Sequence, residues 1–435
     1  MNSKIMMKSL DDTRSGRTLF VMCFMLYSVA LCGRLNYASV LAKVISTGFL
    51  EKDVAGLIAT AFNVTYGCCQ FVSGFIADKL PPFGTVSVSI LGAALCNICM
   101  YFAMSNNLGL PVYIAIWILN GVIQSIIWPT LIRILSRALP EKLRVTAGVS
   151  MLATTAVGSV ISYILSSAII RFTDWKKCFL FPSIILVILS ASWFVLTRGF
   201  SRKTIEKIAI VPENQEENAA QKASSKINDN QAADTPLMKL LIASGALFML
   251  IPIGLFSVVK EGISTWTPTI ITEIFNADPS FATFASTILP FISIFGAAIA
   301  KIMMDKLFHD EMKAAAALFG CSSVTLLLVI IAGKLNIFTT IIMFSAIIAF
   351  LLGVNTIFIS LVPLRFGKYG RAATMTGVLN SVACIGGGLS SFIVGVLAKA
   401  FDWNFVFMIF MILCAIGCVV TALIVRRWMK FRADT

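Results

Sequence analysis

The apolar run LFSVVKEGISTWTP, Leu255 to Pro268, holds a lysine and a glutamate side by side, Lys260 and Glu261. A further cation, Arg34, stands in the apolar run LCGRLNYASVLAKV. A charge at bilayer depth costs about 3 kcal/mol even on the most lenient insertion scales, so a chain that keeps three there has a use for them. Arginine presents a planar fork matched to phosphate or carboxylate oxygens, and lysine a compact point charge. A carboxylate beside such cations can carry a proton. The chemistry on offer is the holding of an anion, with a proton relay or a purely structural ion pair as the alternatives.

These residues need a membrane and helices to position them, and the composition supplies both. The chain of 435 residues is 58% hydrophobic and 13% charged, with a mean hydropathy of +0.89. A soluble protein carries about twice that share of charge. Apolar stretches fall at 18–45, 55–77, 84–104, 110–137, 146–170 and 177–197. They resume at 240–272, 279–304, 312–332, 336–364, 371–399 and 403–425. Each approaches or exceeds the length of about 20 residues that spans a bilayer as a helix. An all-α membrane protein with twelve transmembrane helices is expected. Residues 198–237, rich in Asn, Gln, Glu, Lys and Ala, read as a polar linker between an N-terminal bundle, 1–197, and a C-terminal bundle, 238–435.

The net charge of +14 invites a nucleic-acid reading, which the positions of the cations exclude. With both termini and the linker placed in the cytoplasm, only Lys43, Lys52, Arg171, Lys176, Lys177, Lys334 and Lys399 fall outside. Arg34 and Lys260 fall within the bilayer, and every other Lys and Arg lies on the cytoplasmic side. This is the positive-inside bias of a multi-pass protein, here expected in the plasma (inner) membrane as a monomer. The N-terminal MNSKIMMKSLDDTRSGR is polar and lacks the short apolar core and cleavage site of a signal peptide, so the first helix is expected to direct insertion. The eleven cysteines lie nearly all inside the expected helices without histidine partners, which suits small-apolar packing. The sole histidine, His309, falls in a cytoplasmic loop. With no nucleotide-binding glycine loop, metal cluster or intramembrane histidine, the sequence points to no enzyme, cofactor or primary pump.

The two halves repeat. Asp78-Lys79 returns as Asp305-Lys306, Arg144 as Arg371, Gly148-Val149 as Gly377-Val378 and Asp174-Trp175 as Asp402-Trp403, at offsets of 227 to 229 residues. Within a residue or so of that offset, Lys260 corresponds to Arg34. The two membrane cations thus occupy equivalent places on the first helix of each half. A pseudo-two-fold axis would set them face to face across a cavity, where an anion would relieve their repulsion. Against this, Arg34 could bond backbone carbonyls, and Glu261 could neutralise Lys260. Adjacent helical residues point about 100° apart, so the second pairing is not expected.

Two parallel six-helix halves resemble the major facilitator superfamily, whose substrate site lies near the midplane between halves that rock. The loop GFIADKLPPFG (Gly74, Asp78, Lys79, Gly84) resembles the Gly-x-x-x-Asp-Arg/Lys loop of that superfamily, with Lys301 and Asp305 as a weaker echo. Polar residues on apolar faces, able to line a cavity or bond a neighbouring helix, are Tyr27, Tyr37, Tyr66, Gln70, Gln124, Thr155, Asn355 and Asn380.

CGRLNYASV, NGVIQSIIWPTLIRILSRALPEKLR and VKEGISTWTPTII together resemble the organophosphate:phosphate antiporters. The resemblance implies phosphate-binding roles for Arg34, in an Arg-x-Asn motif, and for Lys260, ahead of Trp266-Thr267-Pro268. Tyr66-Gly67 and Gln124 match further family positions. Lys260 stands where an arginine is usual, Gln70 where a lysine of the glycerol-phosphate type would stand, and Thr155 or Ala156 in place of a histidine. The implied function is secondary transport of a small organic anion, phosphorylated and exchanged for phosphate. Glu261, Asp78, Lys79, Arg133 and Asp305 are its expected coupling and gating residues. A proton-coupled carboxylate symporter, a sugar-phosphate sensor of transporter shape and a drug exporter are the alternatives.

Overall fold

The computed structural model describes residues 3–7, 10, 13–140, 143, 147, 150–151, 153–209, 241–242, 244–332, 336–369 and 372–433. Within these, twelve long helices follow one another. In the first half they are α1 (Thr13–Ser46), α2 (Lys52–Lys79), α3 (Pro82–Ser105), α4 (Leu110–Ala138), α5 (Ala153–Phe172) and α6 (Lys177–Thr204). In the second half they are α7 (Ala246–Phe275), α8 (Pro279–Phe308), α9 (Glu311–Ala332), α10 (Ile337–Leu361), α11 (Ala372–Ala400) and α12 (Trp403–Ala433). Large apolar side chains such as Val88, Leu95, Ile188, Val195 and Leu423 point outward. On a soluble protein such a surface would aggregate; here it is the face turned to lipid. The protein is multi-pass.

Two details depart from the expected pattern. Helix α6 continues through Thr204, past the expected end at 197, and runs into a short strand β2 (Ile205–Ala209) that pairs antiparallel with β1 (Ser3–Met7). This ribbon is a small exception to an all-helical chain. Residues 210–237 of the expected linker lie outside the described residues, as do Arg144, Gly148, Val149, Arg371, the surroundings of Gly74 and the side chains of Asp78 and Lys79.

Several helices break where the sequence dictates. Pro129 lacks an N–H and clashes with the preceding turn, and α4 is interrupted at Ile126 between Leu110–Ser125 and Ile127–Ala138. Helix α1 is interrupted at Leu31, whose carbonyl accepts from both Arg34 N (3.1 Å) and Leu35 N (3.0 Å). Helix α8 is built from short pieces and closes in a π-turn, Met303–Phe308. Asp278 caps its start by accepting from Ser280 N and Phe281 N.

The halves meet most closely along α2 and α11. A Cβ on Gly56 would lie 2.3 Å from Ser391 O, and one on Gly388 would lie 2.7 Å from Val64 Cγ2, so backbones touch where no side chain fits. At the end where α1, α7 and α11 finish, charges also cross between halves. Lys52 Nζ lies 2.7 Å from Glu273 Oε2, which also accepts from Trp403 Nε1 at 2.8 Å. Lys399 pairs with Asp53 at 2.9 Å and with Glu51. Below this end, Thr283 Oγ1 donates to Ser39 O (3.0 Å) and Ser167 Oγ to Ser280 O (2.9 Å).

Candidate functional site

The residue that points Arg34 is its neighbour Gly33. Three buried side-chain amides converge on the Gly33 carbonyl: Asn97 Nδ2 at 2.8 Å, Asn120 Nδ2 at 3.1 Å and Gln124 Nε2 at 3.1 Å. Asn97 Oδ1 in turn accepts from Asn36 Nδ2 at 2.7 Å, and Asn36 reaches Cys178 O at 2.9 Å. The cluster ties α1 to α3, α4 and α6 just past the Leu31 break. Polar groups in a membrane interior are costly unless bonded, and these bond one another. With this turn of α1 fixed, Arg34 faces the centre.

There it lines a cavity of about 280 Å³ between the halves. Tyr37 joins it from α1, and α2 supplies Phe62, Asn63 and Tyr66, while Trp117 comes from α4. From the second half come Ser257, Lys260, Glu261 and Thr265 of α7, Asn355 of α10, and Asn380, Cys384 and Gly387 of α11. The Arg34 guanidinium sits over the Tyr66 ring, 4.8 Å from its centroid, a cation–π contact. Tyr66 is itself stacked on Phe62, with centroids 5.9 Å apart. The two cations of the repeat therefore reach one cavity from opposite halves.

Lys260 and Glu261 correct an expectation. Lys260 Nζ lies 2.6 Å from Glu261 Oε1, although the two leave the helix in different directions. Both side chains are long enough to bend round the helix surface and meet in the cavity. Room for this is made on α11, in the run Gly386-Gly387-Gly388. A Cβ on Gly386 would lie 2.9 Å from Gly254 O, and one on Gly387 would lie 2.7 Å from Glu261 Cγ. With Gly388 against α2, the three glycines admit α7, the glutamate side chain and α2 in turn.

Of the residues singled out in the sequence, Arg34, Lys260, Glu261, Tyr37, Tyr66, Asn355 and Asn380 share the cavity wall. Tyr37 is also structural, since its hydroxyl donates to Ala55 O at 3.0 Å. The others sit elsewhere. Tyr27 packs on Trp128 with ring centroids 4.9 Å apart and is an electrostatic neighbour of Arg34. Gln124 belongs to the Gly33 cluster. Trp266 is fully buried and donates to Ser391 O at 3.3 Å, bridging α7 and α11. Gln70 is half-buried on α2, and Thr155 is exposed on α5. Arg133 donates to Leu80 O at 2.9 Å and to Ala77 O, closing the end of α2. Asp305 is exposed on the π-turn of α8, at a second cavity of about 600 Å³ shared with His309, Asp310, Glu311, Arg365 and Arg432.

Asn63, Ser257, Thr265, Cys384 and Gly387 were not anticipated. Helical spacing could have found two of them: Ser257, Lys260–Glu261 and Thr265 recur every three to four residues along one face of α7. Among the described residues no three His, Cys, Asp or Glu side chains converge as a metal ion would require.

Twelve helices around a central cavity define a class, and sequence comparison gives it a name. The profile of the Major Facilitator Superfamily matches residues 19–391, and the chain belongs to that family. It is similar to the glycerol-3-phosphate transporter of Bacillus subtilis (strain 168), 22% identical over 411 residues that cover 93% of this chain and 91% of that one. It is also similar to the membrane sensor protein UhpC of Escherichia coli (strain K12), 22% identical over 289 residues, 66% of this chain and 64% of that protein. Among solved structures, a bacterial homolog to the human lysosomal transporter Spinster shares the fold, with a TM-score of 0.66 at 14% identity over 98% of this chain and 96% of that one.

Proposed function

We propose that this protein is a secondary transporter that carries a small phosphorylated organic anion across the membrane by alternating access. The observation that supports this best is the meeting of Arg34 and Lys260, from equivalent helices of the two halves, at one cavity wall. An anion between them would touch both halves at once, which is how a bound substrate biases the rocking of one half on the other. Arg34 offers its fork to two oxygens and Lys260 its point charge to a third. Tyr66, Asn63, Asn355 and Asn380 supply neutral polar groups for the organic part. The relationship to a glycerol-3-phosphate transporter supports a phosphorylated cargo.

In this reading the halves 1–197 and 238–435 are the moving bodies, joined by 198–237 on the cytoplasmic face of the plasma (inner) membrane, with both termini on that side. The carrier works as a monomer and couples the anion to a counter-moving phosphate or a co-moving proton. Asp78, Lys79, Arg133 and Asp305 lie at the helix ends that must shift as the halves rock.

The test is flux in proteoliposomes. Vesicles loaded with unlabelled phosphate should accumulate labelled inorganic phosphate or glycerol 3-phosphate at least tenfold over protein-free vesicles. A second reading, a sensor, is favoured by the relationship to UhpC over about two thirds of the chain. Saturable binding of glycerol 3-phosphate without flux under any gradient would select the sensor, and neither binding nor flux would reject both.

A further inference from the structure

The pair Lys260–Glu261 makes the cavity unlike a simple two-cation anion site. Lys260 is already engaged at 2.6 Å, and the carboxylate that engages it stands on the cavity wall with 36% of its side chain exposed. Its electrostatic neighbours among the described residues include Lys260 on its own helix, Arg34 of α1, Tyr163 of α5 and Cys384 of α11. Arg34 and Lys260 are the cations of this group, so the carboxylate stands where an incoming anion must bind. The position is built into the packing, because Gly387 leaves unfilled the volume into which the Glu261 side chain extends.

With Glu261 ionised, the charged side chains among the described residues of the wall amount to two positive and one negative. A dianion placed between the cations would leave the cavity net negative, and would set a carboxylate stripped of its cation beside two further negative charges. A low-dielectric cavity does not tolerate that. A proton on the displaced carboxylate restores neutrality.

We propose that Glu261 is the resident counter-anion of the empty cavity, and that a dianionic cargo displaces it from Lys260 while Glu261 takes up one proton from solution. No bond to the cargo is made or broken. The carboxylate becomes a carboxylic acid as the anion enters and releases the proton as the anion leaves, so anion and proton cross together. The inference rests on the anion-site reading above, and it selects the proton over counter-moving phosphate as coupling partner.

The test uses the full chain in detergent with inorganic phosphate as probe. Titration calorimetry in two buffers of different ionisation enthalpy counts the protons taken up per anion bound. Sulfate, a dianion at every pH used, is titrated alongside, so that a proton carried by phosphate is told from one carried by the protein. Wild type should take up about one proton more than Glu261→Gln, and Glu261→Asp, which keeps a carboxylate, should restore the extra proton. Glu261→Gln has no carboxylate to displace, so it should bind at least tenfold more tightly at pH 8. That advantage should shrink by about tenfold per pH unit as the pH falls, because protons then help wild type vacate Lys260. Equal proton counts and parallel pH dependence in wild type and Glu261→Gln would overturn the proposal alone. Absence of phosphate binding in every variant, with each eluting as a single folded species, would overturn the anion site and this inference with it.

Discussion

The side-chain amide of Asn97 donates to the carbonyl of Gly33 at 2.8 Å, immediately before the arginine that faces the cavity. Asn97 is fully buried and also holds Asn36. Asn97→Leu removes a donor from Gly33 and leaves the Asn36 amide with one partner fewer, at a cost of about 1–3 kcal/mol. The expected outcome is a lower melting temperature together with weaker phosphate binding, since the turn carrying Arg34 loses an anchor. An unchanged melting temperature in a thermal unfolding series would show that the cluster is not what fixes α1.

Lys52 and Glu273 hold the halves together at one end, and each side chain is partly buried. Lys52→Met removes this pair and leaves Glu273 with only Trp403. A partly exposed pair of this kind contributes about 1 kcal/mol, which is about fivefold in a conformational equilibrium. Spin labels placed on the α1–α2 and α7–α8 loops should report a larger share of the separated arrangement. A distance distribution identical to that of the parent protein would remove the pair from any gating role.

Gly56 packs directly on the backbone of Ser391, where a methyl group has no room. Gly56→Leu should force α2 from α11 and destabilise the described arrangement by about 1–3 kcal/mol, as overpacking generally does. Gly84, where an added Cβ would meet nothing within 4 Å, is the control. Gly84→Ala should leave both the melting temperature and the interhelical distance as they were, while Gly56→Leu changes both. Tolerance of leucine at position 56 would mean that the close approach of α2 and α11 is not a constraint.

The architecture was legible in the sequence because membrane helices announce themselves by length and composition, and because landmarks such as Asp174-Trp175 and Asp402-Trp403 recur at one offset. Arg34 and Lys260 could be matched across the halves by offset alone, and both line the cavity. What failed were inferences about side-chain direction. The backbone vectors of Lys260 and Glu261 diverge, yet flexible side chains bring their charges together. Gln124 and Trp266 carry the polar groups expected of a binding site, but tertiary packing uses them to brace Gly33 and Ser391. No local pattern distinguishes a glutamine that faces a cavity from one that bonds a carbonyl on a neighbouring helix. The triple glycine of α11 was visible as a string, but its meaning required knowing that α7, Glu261 and α2 approach it from three sides.

In the proposed carrier Arg34 and Lys260 jointly hold an anion. Equilibrium binding of inorganic phosphate to the purified protein, for Arg34→Ala, Lys260→Ala and the double variant, tests this most directly. Loss of one charge-assisted contact in a desolvated site is worth about 3 kcal/mol, so each single variant should weaken binding by about a hundredfold. The double variant should show no measurable binding while still eluting as a folded protein. Phosphate affinities within twofold of the parent for both single variants would show that the two cations hold no anion.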